Sequence, residues 1–205
     1  MLKNLNLFGT EEKNNMIQSV KTKFEEIIKI LKLDHIIDNE HLAETPMRIS
    51  KMMVNELFDG CYNNPPDMKA FTCNKESMTP VMVKNITIKS LCAHHFIPFY
   101  GNCVIYYLPN NKLCGLSKLS RIASYFSKRP QIQEILTNQI GNYIVEKLEP
   151  QQLIVAIRAK HLCMIHRGAE EHESLTDTIF TYSNTPSNMV NNSTLDYVLN
   201  SLKDV

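Results

Sequence analysis

Residues 81–108 read VMVKNITIKSLCAHHFIPFYGNCVIYYL, two apolar-rich runs around a short turn that holds a cysteine and two histidines. Over 97–108, Phe99, Gly101, Cys103, Ile105 and Tyr107 fall at every second position and so share one face of a strand. Residues 81–90 read as a second strand, and a connection this short favours an antiparallel pair. The turn Leu91-Cys92-Ala93-His94-His95-Phe96 lies between them and concentrates groups that bind metals and move protons.

Working outward, a helix is expected from Ser117 to about 127, and Pro130 opens a longer one whose Ile132, Leu136, Ile140 and Ile144 recur at four. Residues 152–164 alternate strongly enough for a strand, and Thr176 and Thr178 suggest a last one. Residues 183–193 are polar and uninformative, whereas Leu195, Val198, Leu199 and Leu202 fit a short terminal helix. Upstream, Ile17, Val20, Phe24, Ile27/Ile28 and Leu31 predict an amphipathic helix over 11–33, capped by Thr10. Thr45-Pro46 starts a second helix and Gly60 ends it, with Ile49, Met52, Met53 and Leu57 as its buried stripe. Two helices, a strand pair, two helices and two strands argue for an α+β fold with a mostly antiparallel sheet and helices on one face. The expected organisation is an N-terminal helical region over 1–60, a Pro-containing linker over 61–79 and a catalytic domain over 80–205.

Composition narrows the function. The 205 residues carry 22 Lys+Arg against 21 Asp+Glu, a formal charge of +1, so no general positive field invites nucleic acid or an anionic membrane. No apolar run reaches the roughly 20 residues that span a bilayer, and the start MLKNLNLFGTEEKNN has no secretory h-region, which predicts a cytoplasmic protein. In a reducing compartment the six cysteines are core thiols or metal ligands rather than a disulfide framework. Neither the G-x-G-x-x-G nor the P-loop phosphate cradle is present.

Cys92 and His95 can reach one metal ion from a single turn. Alternation over 152–164 puts His161 and Cys163 on one strand face, offering Cys163 as a third ligand. Cys92, His95 and Cys163 form a Cys₂His set that leaves a fourth position for water, the pattern of catalytic zinc. The plainer alternative is a buried thiol beside a satisfied histidine pair. His94 and His161 remain for proton transfer near neutral pH, and the zinc deaminase pattern H-x-E with P-C-x-x-C is not matched. At the start of the helix at 117, Ser117, Lys118 and Arg121 sit beside free amides and could hold phosphate, with Arg167 a further cation near the metal ligands. Gln133-Glu134 offers a carboxylate that could take the adjacent N1–H and N2–H of guanine.

These segments together resemble the type I GTP cyclohydrolases from about residue 42 to 180. The resemblance rests on Leu42-Ala43-Glu44-Thr45-Pro46-Met47-Arg48, Cys92-x-His94-His95 with Pro98 and Gly101, Gly115-Leu116-Ser117-Lys118-Leu119-Ser120-Arg121, Arg129-Pro130-Gln131-Ile132-Gln133-Glu134, and His161-x-Cys163 with Arg167-Gly168. It implies a tunnelling fold (T-fold) in a homo-oligomer, commonly a decamer of two pentamers with active sites at subunit interfaces. It also implies zinc on Cys92, His95 and Cys163, acid-base roles for His94 and His161, and triphosphate contacts from Ser117, Lys118, Arg121 and Arg167. Gln133 and Glu134 would then meet the guanine. The implied reaction converts GTP and water to formate and 7,8-dihydroneopterin triphosphate, with attack at C8 of the purine and protonation of N7. Ala93 stands where the family usually has Glu, and the Leu-Gly-x-Phe that usually follows the last strand is missing. Two alternatives stay open: a zinc-stapled guanine-nucleotide-binding homologue without turnover, and a zinc hydrolase of a different nucleotide.

Overall fold

The computed structural model describes residues 8–37, 39–74, 78–184, 186 and 189–203. The chain divides into two units, Met1–Asn64 and Pro65–Val205.

In the first unit, α1 spans Thr10–Ile30. Thr10 is its first helical residue rather than its cap: Gly9 occupies the cap position, and the Glu12 carboxylate accepts the Gly9 N–H at 2.7 Å. The helix stops short of the expected 33 because Lys32 turns left-handed (φ 54°) and leads into a 3₁₀ turn over Leu33–His35. After α2 (Asn39–Leu42), α3 runs Thr45–Met52 with Pro46 in its first turn, where a missing N–H costs nothing. The continuous helix expected to Gly60 is interrupted by a π-helical turn, Met53–Leu57, closed by Phe58 N–H to Met53 O at 3.0 Å. Gly60 lies buried inside α4 (Asp59–Tyr62) instead of ending the helix.

The second unit begins inside the stretch expected as a linker: β1 (Ala70–Thr72) lies there, and Met68 is buried in the core. Then follow β2 (Val81–Cys92), β3 (Pro98–Leu108), β4 (Lys112–Cys114), α5 (Leu116–Ser127), β5 (Pro130–Gln131) and α6 (Gln133–Leu148). The chain closes with β6 (Gln152–His161), α7 (Leu162–Ile165), β7 (Thr176–Ser183) and α8 (Asn192–Leu199). β1 and β4 form an antiparallel ribbon, and the main sheet has the order β5-β2-β3-β6-β7. Its pairs are antiparallel except β5–β2, where Pro130 and Gln131 lie parallel to Leu91 and Cys92. Pro130 therefore makes a short edge contact, and α6 starts three residues later than expected. A bulge breaks the β2–β3 register between Val83 and Ile86, where Asn85, a residue that tolerates the left-handed region, has φ 57°.

One sheet face carries Ile88, Phe99, Cys103, Ile105, Tyr107, Val155 and Ile157 against Leu119, Ile122 and Phe126 of α5 and Leu136, Ile140 and Ile144 of α6. Each of these aliphatic side chains contributes about 1.5–3 kcal/mol by leaving water. Two glycines permit the close approach. A Cβ on Gly101 would lie 1.9 Å from the Arg158 carbonyl oxygen on β6, and one on Gly141 would lie 2.3 Å from the Phe180 ring on β7. The fold is α+β as expected, with an addition on the opposite face. There Val198 and Leu202, on and just beyond α8, cover Val104, Tyr106, Ile154 and Ala156. Asn191, inside the polar stretch, caps this helix by accepting the Thr194 N–H at 2.7 Å. Among the described residues, no helix is long and apolar enough to cross a membrane, and all six cysteines are free thiols.

Candidate metal and acid-base site

Cys92 ends β2 and is held on both sides. Its N–H donates to Ile97 O across the hairpin (2.9 Å), and the next N–H, of Ala93, donates to Gln131 O on β5 (2.9 Å). The turn closes by Phe96 N–H to Cys92 O (2.8 Å) with Phe96 in the left-handed region, φ 53°. That tight closure presents His94 and His95 beside the thiol: both Nδ1 atoms lie 3.8 Å from Cys92 Sγ, and both rings are solvent-exposed.

The third expected ligand arrives by a route different from the one expected. β6 does not continue to 164. Its last pairing with β3 is His161 with Phe99, and the next position on β3 is Pro98, which has no N–H to donate. The chain coils into the single turn α7, and this brings Cys163, buried, to the hairpin. Ligand atoms of Cys92, His95 and Cys163 all lie within 4.8 Å of one another. The donor set suits a soft divalent ion: two buried thiols and an imidazole with one exposed side. Burial pushes the Cys163 thiol up, and the adjacent Cys92 sulfur pushes it further, while Arg167 opposes both. A thiol held as Cys163 is ionises more readily when a cation joins it. Arg167 also sets Nη1 3.3 Å from His95 Nε2, so this cation belongs to the cluster.

His161 is not one of the three clustered ligand residues. Its ring stacks on Phe99 with centroids 4.6 Å apart and planes 9° off parallel, and its Nε2 is 2.7 Å from Gln133 Oε1. Burial lowers its imidazole below the ordinary range, and the Glu134 carboxylate pulls the other way. Glu134 is exposed in the first turn of α6. Gln133, expected to meet a base, is 1% exposed, and its amide is committed to partners inside the chain. Ser117 is the second residue of α5 rather than its cap, a position taken by Gly115; Ser117 and Arg121 are exposed and Lys118 is half-buried. No hydrogen bond or ion pair among the described residues joins these three to the cluster.

Sequence reasoning missed the supports: Gln131, whose Nε2 donates to Phe126 O (2.7 Å) and Gln139 Oε1 (2.9 Å), together with Phe99, Thr137 and Thr178. A signal was present for one pair. Gln133 and Thr137 stand four apart on the same buried face of α6 as Leu136 and Ile140, and polar residues in such a stripe require internal partners.

A sequence model of the GTP cyclohydrolase I family matches residues 20–197. The chain is 41% identical over 170 residues to GTP cyclohydrolase 1 of Wigglesworthia glossinidia brevipalpis, spanning 82% of this chain and 78% of that protein. It is 39% identical over 179 residues to GTP cyclohydrolase 1 of Buchnera aphidicola subsp. Schizaphis graminum, spanning 87% and 80%. It is 44% identical over 144 residues to GTP cyclohydrolase 1 of Carboxydothermus hydrogenoformans, spanning 69% and 73%. Among solved structures, an archaeosine synthase QueF-Like in the apo form aligns with a TM-score of 0.44 at 12% identity, over 54% of this chain and 99% of that one.

Proposed function

The chain belongs to the GTP cyclohydrolase I family, and from that premise we propose that it is a zinc enzyme converting GTP and water to formate and 7,8-dihydroneopterin triphosphate. The observation that carries this reading is the convergence of Cys92, His95 and Cys163 from two separate segments, three donors for one ion with imidazoles beside them. Cys92, His95 and Cys163 hold the zinc, which when bound supplies Lewis acidity and a water acidic enough to attack near neutral pH.

The remaining roles fall to the chain's own groups. Ser117, Lys118 and Arg121 at the start of α5, with Arg167 beside His95, hold the triphosphate by charge and by the free amides of the first helical turn. Glu134 accepts the paired N1–H and N2–H of guanine. Its acceptor-only carboxylate suits adenine poorly, since adenine offers no such donor pair. His94, exposed beside Cys92, delivers a proton to the purine nitrogen as the imidazole ring opens, and His161 takes and returns protons as formate leaves.

The working enzyme is a homo-oligomer, a decamer of two pentamers. Supporting this, among the described residues β7 is paired only through β6, and β2 has no partner on its β5 side beyond Leu91 and Cys92, so both sheet edges can continue into neighbouring copies. Native mass spectrometry reads the assembly directly, and a monomer overturns it. Incubating zinc-loaded protein with GTP tests the reaction: formate and, after oxidation, a fluorescent pterin are expected in equal amounts. Tight GTP binding without either product favours the non-catalytic homologue, and turnover of another nucleotide alone favours the other hydrolase.

A further inference from the structure

Gln133 opens α6 with its side chain sealed from solvent. Its Nε2 lies 2.9 Å from Thr176 O, 3.1 Å from Thr178 Oγ1 and 3.2 Å from Ile157 O, while its Oε1 lies 2.7 Å from His161 Nε2. Two of the three atoms facing Nε2 are backbone carbonyls, which only accept. Turning the amide over would set Oε1 against both, acceptor facing acceptor, so the orientation is determined.

A second set of bonds gives the same answer. The single proton of the Thr137 hydroxyl goes to Gln133 O, one helical turn back, at 2.9 Å. The proton in the 2.6 Å contact between Thr137 and Thr178 must then come from Thr178. This leaves Thr178 Oγ1 as an acceptor, and Gln133 Nε2 is the donor that meets it. The bonds run in one direction around a closed loop, from the Gln133 side chain through Thr178 and Thr137 back to the Gln133 backbone.

Gln133 Oε1 is therefore an acceptor, and the hydrogen in its 2.7 Å bond belongs to His161. Resting on the reading of His161 as a proton-transfer group, we infer that Gln133 is a positioning residue that holds neutral His161 with its proton on Nε2 and its lone pair on Nδ1. Nδ1 is then the atom through which His161 takes a proton during the reaction and gives it back. Phe99, fully buried and stacked on the imidazole, keeps the ring in the plane this bond requires. Both hydrogens of the Gln133 side-chain amide are used within the chain, so this side chain has no donor left for the base.

Neutron diffraction from zinc-loaded crystals exchanged into heavy water, at about pH 8 where an ordinary imidazole is neutral, reads the tautomer without turnover. Deuterium on His161 Nε2 and none on Nδ1 is expected, and deuterium on Nδ1 overturns the assignment. Kinetics separate positioning from binding: Gln133→Met should lower kcat by about tenfold or more while KM for GTP stays within about twofold. A raised KM with kcat preserved would return Gln133 to the base. Thr178→Val should lower kcat in the same way, and Thr178→Ser, which keeps the hydroxyl, should recover most of it; equal kcat in the two removes the loop from the argument. If Gln133→Met does not fold, the Thr178 pair and the neutron map decide. Wild-type protein inert on GTP would defeat the proposed function, and the map would still settle the tautomer.

Discussion

The middle of the sheet and its Cys92 end are built from the same strands and behave oppositely. In the middle, Cys103 faces Ile157, Val104 faces Ala156 and Ile105 faces Val155, every one fully buried. At the end, Cys92 pairs with Gln131 and Phe99 with His161, and the chain leaves the ladder for a tight turn on one side and a one-turn helix on the other. Both faces of the middle are closed by helices, so side chains there are selected for volume alone. Where the ladder stops, the His94 and His95 rings gain access to solvent beside two buried thiols, while the backbone is fixed up to the last pairs. Reactive groups sit here because the scaffold is rigid up to the residue before them.

The largest effect is expected in the middle. Gly101→Val puts a Cβ into the Arg158 carbonyl, a backbone atom that cannot move without breaking the β3–β6 ladder. The variant should lose about 3 kcal/mol or more and be recovered largely insoluble or unfolded, judged by thermal unfolding of whatever is soluble. A folded variant of wild-type stability would mean that the two strands are not held this close.

At the end of the sheet the expected loss is of function. Cys163→Ser should reduce zinc from about one ion per chain to a small fraction by elemental analysis, because two remaining ligands bind weakly, and activity should go with it. Full zinc content in this variant would remove Cys163 from the site.

Glu134→Ala sharpens the contrast further, since the side chain is exposed. Removing one charged partner of a paired hydrogen bond costs about 2–4 kcal/mol, so kcat/KM for GTP should fall well over tenfold while the melting temperature is unchanged. Unaltered kinetics would return Glu134 to the solvated surface.

The smallest effect returns to the middle. Burial holds the Cys103 thiol far above its ordinary range, so it stays protonated in the folded chain where the unfolded chain ionises. Its contribution is fully present below the unfolded value of about 8.5 and is lost as pH rises above it, by at most about 1.4 kcal/mol per pH unit. Unfolding curves from about pH 8 to 10 should therefore fall less steeply for Cys103→Ala than for the wild type. Equal slopes would assign the alkaline loss to other groups.

Strand alternation around Cys92 and the helical stripes of α5 and α6 were legible because each repeats a local period that burial on one face imposes. The cysteine–histidine cluster was legible as three residues of two types at two places in the chain. The path that joins them was not: alternation carried a strand through Cys163, whereas pairing ends at His161 because a strand persists only as far as its neighbour offers partners. The helix after Thr45 was expected to be continuous, since apolar spacing does not register the extra residue of a π turn. The capping role of Asn191 escaped notice inside a polar stretch, although Asn is favoured at that position.

By itself, then, the sequence determined which residues are candidates for the chemistry and which faces are apolar, since both depend on side-chain type and short-range spacing. Only the tertiary structure decided how Gln133 is employed. Its partners Ile157, His161, Thr176 and Thr178 come from β6 and β7, more than twenty residues further along the chain, and no local pattern records where two carbonyls and a hydroxyl will converge. The direction of a hydrogen bond follows from what surrounds both of its ends, and for His161 those surroundings exist only once α6 lies on the sheet.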